Sequence, residues 1–180
     1  MILLAYAITF GNNTALVNTN VKYDNIDNQL KRELDELHIP GMAVAIVDSK
    51  EVLLAETYGN CKSIDTPFII GSISKSFTAL AIMRLVEEDK IDLDEKISAY
   101  IDPSAYFINE SDGNKITVRQ LLNQTGGLGT YQRFGNAKIT ESYGQHQYAN
   151  INYGLLGEII EAVSGVSYSE YMNKKIFLPL

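Results

Sequence analysis

Residues 68–78 read FIIGSISKSFT, and this stretch gives the clearest indication of the fold. The aromatic and β-branched residues 68–70 predict a short strand, which Gly71 ends. From residue 72 to residue 88, apolar side chains recur around most of a helical circumference, which predicts a helix buried in the middle of a domain. Ser72 and Lys75 stand three positions apart at the start of that helix, so their side chains share one face, about 5–6 Å apart at Cβ.

The pairing of Ser72 with Lys75 indicates acyl transfer. A serine hydroxyl is a poor nucleophile until a neighbour takes its proton, and an adjacent amine that burial keeps partly neutral can do so. At a helix N-terminus, Ser72 also meets the positive end of the dipole, and its own N–H can bind an oxyanion. The alternative is a capped core helix that carries a buried lysine, because the S-x-x-K pattern alone is weakly specific.

The flanking segments predict an α+β fold in which helices cover an antiparallel sheet. Before the site, residues 24–37 have the spacing of an amphipathic helix, and residues 42–48 and 51–59 have the pattern of a hairpin. After it, shorter helices are expected at residues 94–100, 118–123, 151–163 and 168–175, the second of them opened by a Thr117–Gln120 capping box.

Tyr148 and Asn150 are the second pair of candidates. A tyrosine whose pKa is lowered by Lys75 can act as general base toward Ser72 and as acid toward a leaving group, while the asparagine amide holds Lys75 and the substrate. The Y-x-N pattern also begins at Tyr23, Tyr58 and Tyr171. Position favours Tyr148, because it lies in a loop that can face a site.

Composition excludes several other classes of function. The net charge of −7, without any basic run, argues against nucleic acid as the main partner. One cysteine, Cys61, cannot form an internal disulfide, and His38 and His146 are too few for most zinc sites. No G-x-S-x-G elbow is present, so a Ser-His-Asp triad is disfavoured. We interpret His38 as a histidine at the end of a helix. His146 is close enough to Tyr148 in the sequence to line a cleft.

The N-terminal residues 1–22 are set apart from a domain over residues 23–180. Residues 1–10, MILLAYAITF, are too few for a membrane span, and they fit either the remnant of a secretory signal peptide or a buried strand. Residues 11–20 are rich in Asn and Thr and are interpreted as a linker.

Four blocks in order resemble the penicillin-recognising serine hydrolases, in the branch of class C β-lactamases, β-lactamase-related proteins and D-Ala-D-Ala carboxypeptidases. They are IPGMAVAIV from Ile39, TPFIIGSISKSFTALAIMRLVEEDKIDLDE from Thr66, ITVRQLLNQTGGL from Ile116 and YANINYGLLGEIIEAVSG from Tyr148. The resemblance covers most of residues 24–180 and implies a β-lactamase/transpeptidase-like fold with a helical subdomain. It also implies that Ser72 is the acylated nucleophile, Lys75 its proton partner, Tyr148 the general base, and Asn150 a ligand to the substrate amide and the lysine.

Two departures from the family pattern are visible. The third family motif, a K-T-G or H-x-G triplet on a strand that edges the site, is expected downstream of residue 180, so the chain is expected to be the N-terminal part of an enzyme, truncated before its C-terminal strands. That strand would supply a second oxyanion donor, worth about 10² to 10³ in rate. In addition, Gln124 stands where relatives often have His, a change expected to affect packing rather than chemistry.

The sequence thus predicts a serine hydrolase that acts through an acyl-enzyme on a β-lactam, a D-Ala-D-Ala peptide or an ester, without a metal or organic cofactor. The alternative is a non-catalytic penicillin- or peptidoglycan-binding module, or an inactive fragment. A peptidoglycan-like substrate implies a secreted or cell-envelope location, and association with the membrane stays open.

Overall fold

The first element of the computed structural model is helix α1, Thr19–Glu36. The structure describes residues 19–179, with their side chains from residue 25 onward. The sequence predicted that this helix starts at residue 24 and that residues 11–20 are a linker, so the helix begins earlier than predicted. Thr and Asn disfavour a helix interior by only a few tenths of a kcal/mol each, which an established helix tolerates. The predicted signal-peptide remnant at residues 1–10 lies outside the described residues.

Strands β1 (Gly41–Val47) and β2 (Val52–Gly59) pair antiparallel and confirm the predicted hairpin. The turn between them is closed by Asp48, whose Oδ1 accepts hydrogen bonds from the backbone N–H groups of Lys50 and Glu51. Helix α1 packs against β2. The hairpin and its helix therefore give the N-terminal part of the chain its α+β character.

The predicted third strand, residues 68–70, is not present. These residues have no regular secondary structure, and the sheet in the described part of the chain has two strands. A strand exists only through its hydrogen bonds to a neighbour, which an apolar run cannot supply by itself. The described chain divides at this segment into two compact units, the second of which begins at Gly71.

Helix α2, Ser74–Glu87, opens the second unit and follows one 3-10 turn, Gly71–Ile73. Its prediction as a helix buried in the middle of a domain is wrong for part of the circumference, because only one face is covered. Leu80 and Met83 are 51% and 41% exposed. The covered face carries Thr78, Ala81, Ile82 and Leu85. An apolar pattern shows what a helix is able to bury, but burial itself requires a packing neighbour, and within the second unit the neighbours of α2 lie on one side.

Helix α5, Asn150–Ser164, is the main partner of α2 in the core of the second unit. Its buried apolar residues are Ile151, Leu155, Leu156, Ile159 and Ile160. It ends at Ser164, one residue beyond the predicted end, and is followed by Gly165, whose φ of +72° is the left-handed conformation that favours glycine at a helix C-terminus. The core thus fixes the N-terminal ends of α2 and α5 relative to each other.

Shorter elements surround this pair of helices. Helix α3 is Glu110–Gly113, and α4 is Val118–Leu122, opened by the predicted Thr117–Gln120 capping box. The helix predicted at residues 94–100 is reduced to one 3-10 turn, Ile97–Ala99. The final predicted helix is divided: α6 covers Tyr168–Tyr171 and continues as a wider π-helical turn over Met172–Phe177.

Candidate active site

The start of α2 holds Ser72 and Lys75 side by side. Gly71 has a φ of +54°, which glycine adopts without strain, and it leads the chain into the 3-10 turn that carries Ser72. Lys75 lies in the first turn of α2, and its Nζ donates a hydrogen bond to Ser72 Oγ over 3.1 Å. The three-residue spacing therefore places a cation directly beside the serine hydroxyl, as the shared helical face predicts.

The start of α5 brings Tyr148 and Asn150 to the same place. Between them, Ala149 is the fully buried, extended residue that precedes the helix. The Tyr148 hydroxyl lies 2.6 Å from Ser72 Oγ, and Asn150 Oδ1 accepts a hydrogen bond from Lys75 Nζ at 2.8 Å. The four residues singled out in the sequence thus form one hydrogen-bonded cluster, which we call the Ser72 cluster.

Two of the competing Y-x-N tyrosines, Tyr58 and Tyr171, are buried. Tyr58 is on β2 and 6% exposed, and Tyr171 is in the helical core and 3% exposed. The side chain of Tyr23 falls outside the described ones. Tyr148, in contrast, is 44% exposed, so solvent and a substrate can reach its hydroxyl.

The surroundings of Tyr148 favour its ionised form. Hydrogen bonding with the Lys75 ammonium is the largest cause, and the hydrogen bond with Ser72 the second, by which the pKa of the Tyr148 phenol falls below its usual 10.0; the positive charge of Lys75 adds a smaller effect in the same direction. Lys75 Nζ also lies 5.0 Å from the centroid of the Tyr148 ring and 5.8 Å from that of Tyr153. An amide oxygen and two aromatic faces are all groups that attract a cation, so they hold the ammonium in the cluster.

This arrangement has the parts needed for nucleophilic catalysis. An ionised Tyr148 is within hydrogen-bonding distance of the Ser72 proton, which a general base must reach before the hydroxyl oxygen can attack. Lys75 and Asn150 are placed to keep that base charged and in position. The cluster can therefore support acyl transfer to Ser72.

The other candidates from the sequence are not part of the Ser72 cluster. His38 is exposed beyond the end of α1 with a φ of +51°, and Cys61 is buried with its Sγ 3.5 Å from the Ser63 carbonyl oxygen. His146 is exposed in the loop before Tyr148. Among the described side chains, none of the hydrogen bonds of the cluster involves any of these three.

The described residues contain neither a metal-binding cluster nor a membrane-spanning helix. Within that part of the chain, no three His, Cys, Asp or Glu residues lie close enough together to hold a metal ion. None of its helices combines the length and apolar character that crossing a bilayer requires.

Sequence reasoning missed three residues next to the cluster. Tyr153 faces Lys75, and its place three positions after Asn150, on the same helical face, was an available signal. Thr130 Oγ1 donates to the Tyr148 carbonyl oxygen at 3.0 Å. Gln124, expected to matter for packing, accepts a hydrogen bond from the backbone N–H of Ala149 at 2.9 Å. For Thr130 and Gln124 no sequence pattern indicates these contacts, because they arise only when two loops meet.

Comparison with known proteins points to one family. The sequence model of the Beta-lactamase family matches residues 26–180. Protein flp of Staphylococcus aureus (strain NCTC 8325 / PS 47) is 30% identical over 90% of this chain and 38% of its own length. The octameric penicillin-binding protein homologue from Pyrococcus abyssi is 28% identical with a TM-score of 0.69, covering 87% of this chain and 42% of that one.

A third comparison concerns the fold alone. A class C β-lactamase in complex with cefoxitin has a TM-score of 0.77 at 24% identity, over 91% of this chain and 50% of that one. In all three comparisons the chain spans half or less of the length of the protein that it matches.

Proposed function

This chain belongs to the β-lactamase family, and on that premise we propose that it is a serine hydrolase that forms an acyl-enzyme at Ser72. The observation that carries the proposal is the 2.6 Å distance between the Ser72 and Tyr148 hydroxyl oxygens. Lys75 Nζ donates hydrogen bonds to both Ser72 and Asn150 beside this contact. These are the residue types and distances that proton removal from a serine requires.

The first half of the proposed reaction is acylation. The Tyr148 phenolate takes the proton of Ser72 while Oγ attacks the carbonyl carbon of the substrate. In this proposal the backbone N–H of Ser72 donates to the oxyanion that develops. Tyr148 then gives its proton to the departing nitrogen or oxygen, the carbon–leaving-group bond breaks, and an ester with Ser72 remains.

The second half is hydrolysis of that ester. Water enters through the exposed side of the site and loses a proton to Tyr148, and the acid product departs as Ser72 Oγ regains the proton. In both halves Lys75 keeps Tyr148 charged between proton transfers, and Asn150 fixes Lys75 and binds an amide of the substrate. Every proton is returned at the end of the cycle.

The substrate class we propose is a β-lactam, a D-Ala-D-Ala peptide or an ester. Support comes from the relatives: one is a penicillin-binding protein homologue, and one with the same fold binds cefoxitin. A peptidoglycan-type substrate would require a secreted or cell-envelope location, which fractionation of the native host would test. The activity and partners of a longer protein that contains this chain belong to the same proposal.

The test is intact-mass spectrometry of the 180-residue chain after incubation with a fluorescent penicillin, with thermal unfolding recorded in parallel. We expect a single adduct that is lost in Ser72→Ala and retained in Ser76→Ala, which changes an exposed serine in the first turn of α2. A cooperatively folding chain without an adduct would refute the proposal. An adduct that forms but never hydrolyses would instead favour a penicillin-binding module without turnover.

A further inference from the structure

The peptide group between Tyr148 and Ala149 is held at both of its polar atoms by side chains. Its carbonyl oxygen accepts a hydrogen bond from Thr130 Oγ1 at 3.0 Å, and its N–H donates to Gln124 Oε1 at 2.9 Å. Both holding residues come from one segment, residues 124–130, which follows helix α4. This peptide directly follows the Cα of Tyr148, so its orientation helps to set where the phenol ring lies.

The Gln124 side chain is buried and held by hydrogen bonds. Its side chain is 6% exposed, and the same Oε1 accepts a second hydrogen bond, at 2.6 Å, from Nδ2 of the fully buried Asn152. Its backbone carbonyl accepts the N–H of Gln147 at 2.9 Å. The backbone of Gln124 also has a φ of +65°, which residues other than glycine seldom adopt. A buried residue with a strained backbone, two donors on its side-chain oxygen and one on its backbone oxygen is the kind of feature that accompanies a functional constraint.

We infer that Gln124 and Thr130 are positioning residues that clamp the Tyr148–Ala149 peptide and thereby fix the Tyr148 hydroxyl against Ser72. The inference rests on the proposed function, in which Tyr148 is the general base. Neither residue touches the reacting atoms; both act through the backbone of Tyr148.

The clamp matters because α5 does not hold Tyr148 by itself. Ala149 has extended backbone angles, φ −146° and ψ 127°, so the helical hydrogen-bond ladder begins only after it. A base displaced by about 1 Å can cost a hundredfold in rate. The titratable groups facing Tyr148 are Lys75 on α2 and Tyr153 on α5, so a displaced phenol would also leave the ammonium that favours its ionisation.

The variants that test the clamp remove the hydrogen bonds and keep the shape. Gln124→Met retains the chain length without an acceptor, and Thr130→Val replaces the hydroxyl at an exposed site. For each we expect a fall of about tenfold or more in the rate of acylation by the fluorescent penicillin, with the acid limb of the pH–rate profile shifted to higher pH. Gln124→Glu and Thr130→Ser restore an acceptor and a donor, so they should recover most of the rate.

Matched controls separate positioning from general disturbance. Gln145→Met changes an exposed glutamine in the loop that leads to Tyr148. Thr125→Val removes a hydroxyl whose hydrogen bond is to the nearby Asn123. Both should acylate as the parent does. If Gln124→Met fails to unfold cooperatively, Thr130→Val decides the question, because its side chain lies at the surface.

A second readout does not depend on activity. Nuclear magnetic resonance of ¹³Cζ-labelled tyrosine reports the titration of each phenol, and Tyr148→Phe assigns the Tyr148 signal. We expect the pKa of Tyr148 to rise toward 10 in Gln124→Met and in Thr130→Val, and to return in Gln124→Glu. A parent that is not acylated would refute the proposed function, while this titration would still decide the clamp. Folded variants with an unchanged Tyr148 titration would overturn the inference.

Discussion

At the level of single residues, the proposed chemistry depends on which group carries charge beside Ser72. Tyr148 is held close to a cation and its pKa is lowered, while Lys75 contacts an amide oxygen and two aromatic rings. In this arrangement Tyr148 is the proton acceptor, and the positive charge of Lys75 favours the ionised phenol that accepts the proton.

The charge of Lys75 should set the pH dependence of acylation. Because its ammonium favours the phenolate, the ionised fraction of Tyr148 should rise with pH around a pKa below 10, and acylation should rise with it. Lys75→Met removes the charge, so the acid limb should move up toward pH 10. The rate near pH 7 should fall by about a hundredfold or more. Stopped-flow acylation across pH measures both effects.

The control for this variant is Lys174→Met, which removes an exposed lysine paired only with Glu170 across one helical turn. It should leave the pH–rate profile as in the parent. A Lys75→Met protein whose limb stays in place would contradict the assignment of Lys75 as the charge behind Tyr148.

At the level of elements, the loops before α5 carry as much of the site as the helices do. Gly127 has a φ of +74°, and a Cβ at this position would lie 2.8 Å from the Tyr143 Cα. The loop of residues 140–149 is thus in close contact with the segment that clamps Tyr148. Only glycine allows this approach.

Gly127→Ala should therefore destabilise more than a glycine substitution that has the same backbone strain but free space. Gly135 has a φ of +81° with nothing within 4 Å of a Cβ, so Gly135→Ala isolates the backbone cost, about 1–2 kcal/mol. Gly127→Ala adds a steric cost of about 1–3 kcal/mol. Urea unfolding of both variants measures the difference; equal losses would mean that the Tyr143 contact is unimportant.

A hydrogen bond between Tyr106 and Glu158 links another loop to α5. The Tyr106 hydroxyl donates to Glu158 Oε2 at 2.8 Å, and burial, followed by the hydrogen bond to Glu158, raises the pKa of Tyr106 to about 12. An unfolded tyrosine titrates near 10. The folded state therefore prefers the protonated phenol, and this contribution to stability is complete below pH 10 and is lost as the pH rises through 12.

Tyr106→Phe tests this contact. At pH 7 it should lower the free energy of unfolding by about 1–2 kcal/mol, because the charged acceptor loses its donor. As the pH rises from 10 to 12, the difference between parent and variant should shrink. Denaturant unfolding at pH 7, 10 and 11.5 checks the sign, and a difference that stays constant with pH would count against the assignment.

At the scale of the whole molecule, charge and exposed apolar surface act together. The net charge is −7 with an isoelectric point near 4.8, and Ile73, Leu80 and Met83 are 45%, 51% and 41% exposed. Mutual repulsion keeps copies apart at neutral pH and vanishes near the isoelectric point. Apolar contact then becomes the dominant force between molecules.

We expect light scattering of the chain to rise steeply as the pH approaches 5, and the double variant Leu80→Gln, Met83→Gln to reduce that rise. Ser76→Gln, an exposed change on the same helix, should behave as the parent does. Scattering that is equal in parent and double variant would show that this face of α2 does not drive association.

Much of this architecture could be predicted from local patterns. The hairpin, the capping box at Thr117 and the end of α5 at Gly165 depend on residues close together in sequence. The predicted strand at residues 68–70 was wrong, and the predicted burial of α2 was wrong for part of its circumference, because each depends on a neighbour that no local pattern contains. The start of α1 was predicted late because weak helix formers such as Thr19 and Asn20 were read as a break.

The site divides in the same way. Ser72, Lys75, Tyr148 and Asn150 were found because each pair forms a short pattern at the start of a helix, and the family blocks selected one Y-x-N among four. Gln124 and Thr130 were missed as contacts of the site. Their hydrogen bonds to the Tyr148–Ala149 peptide exist only once the chain after α4 lies against the chain before α5.

Asn152 shows what this arrangement costs. Its amide is fully buried, and while Nδ2 donates to Gln124, its Oδ1 has no hydrogen-bond partner among the described residues. An unpaired buried oxygen destabilises by about 1–3 kcal/mol, a cost that leucine, of similar size, would not carry. Selection for thermal resistance alone would therefore drift toward an apolar side chain at position 152, whereas selection for turnover would restore the amide. Stability and activity therefore favour different side chains at position 152.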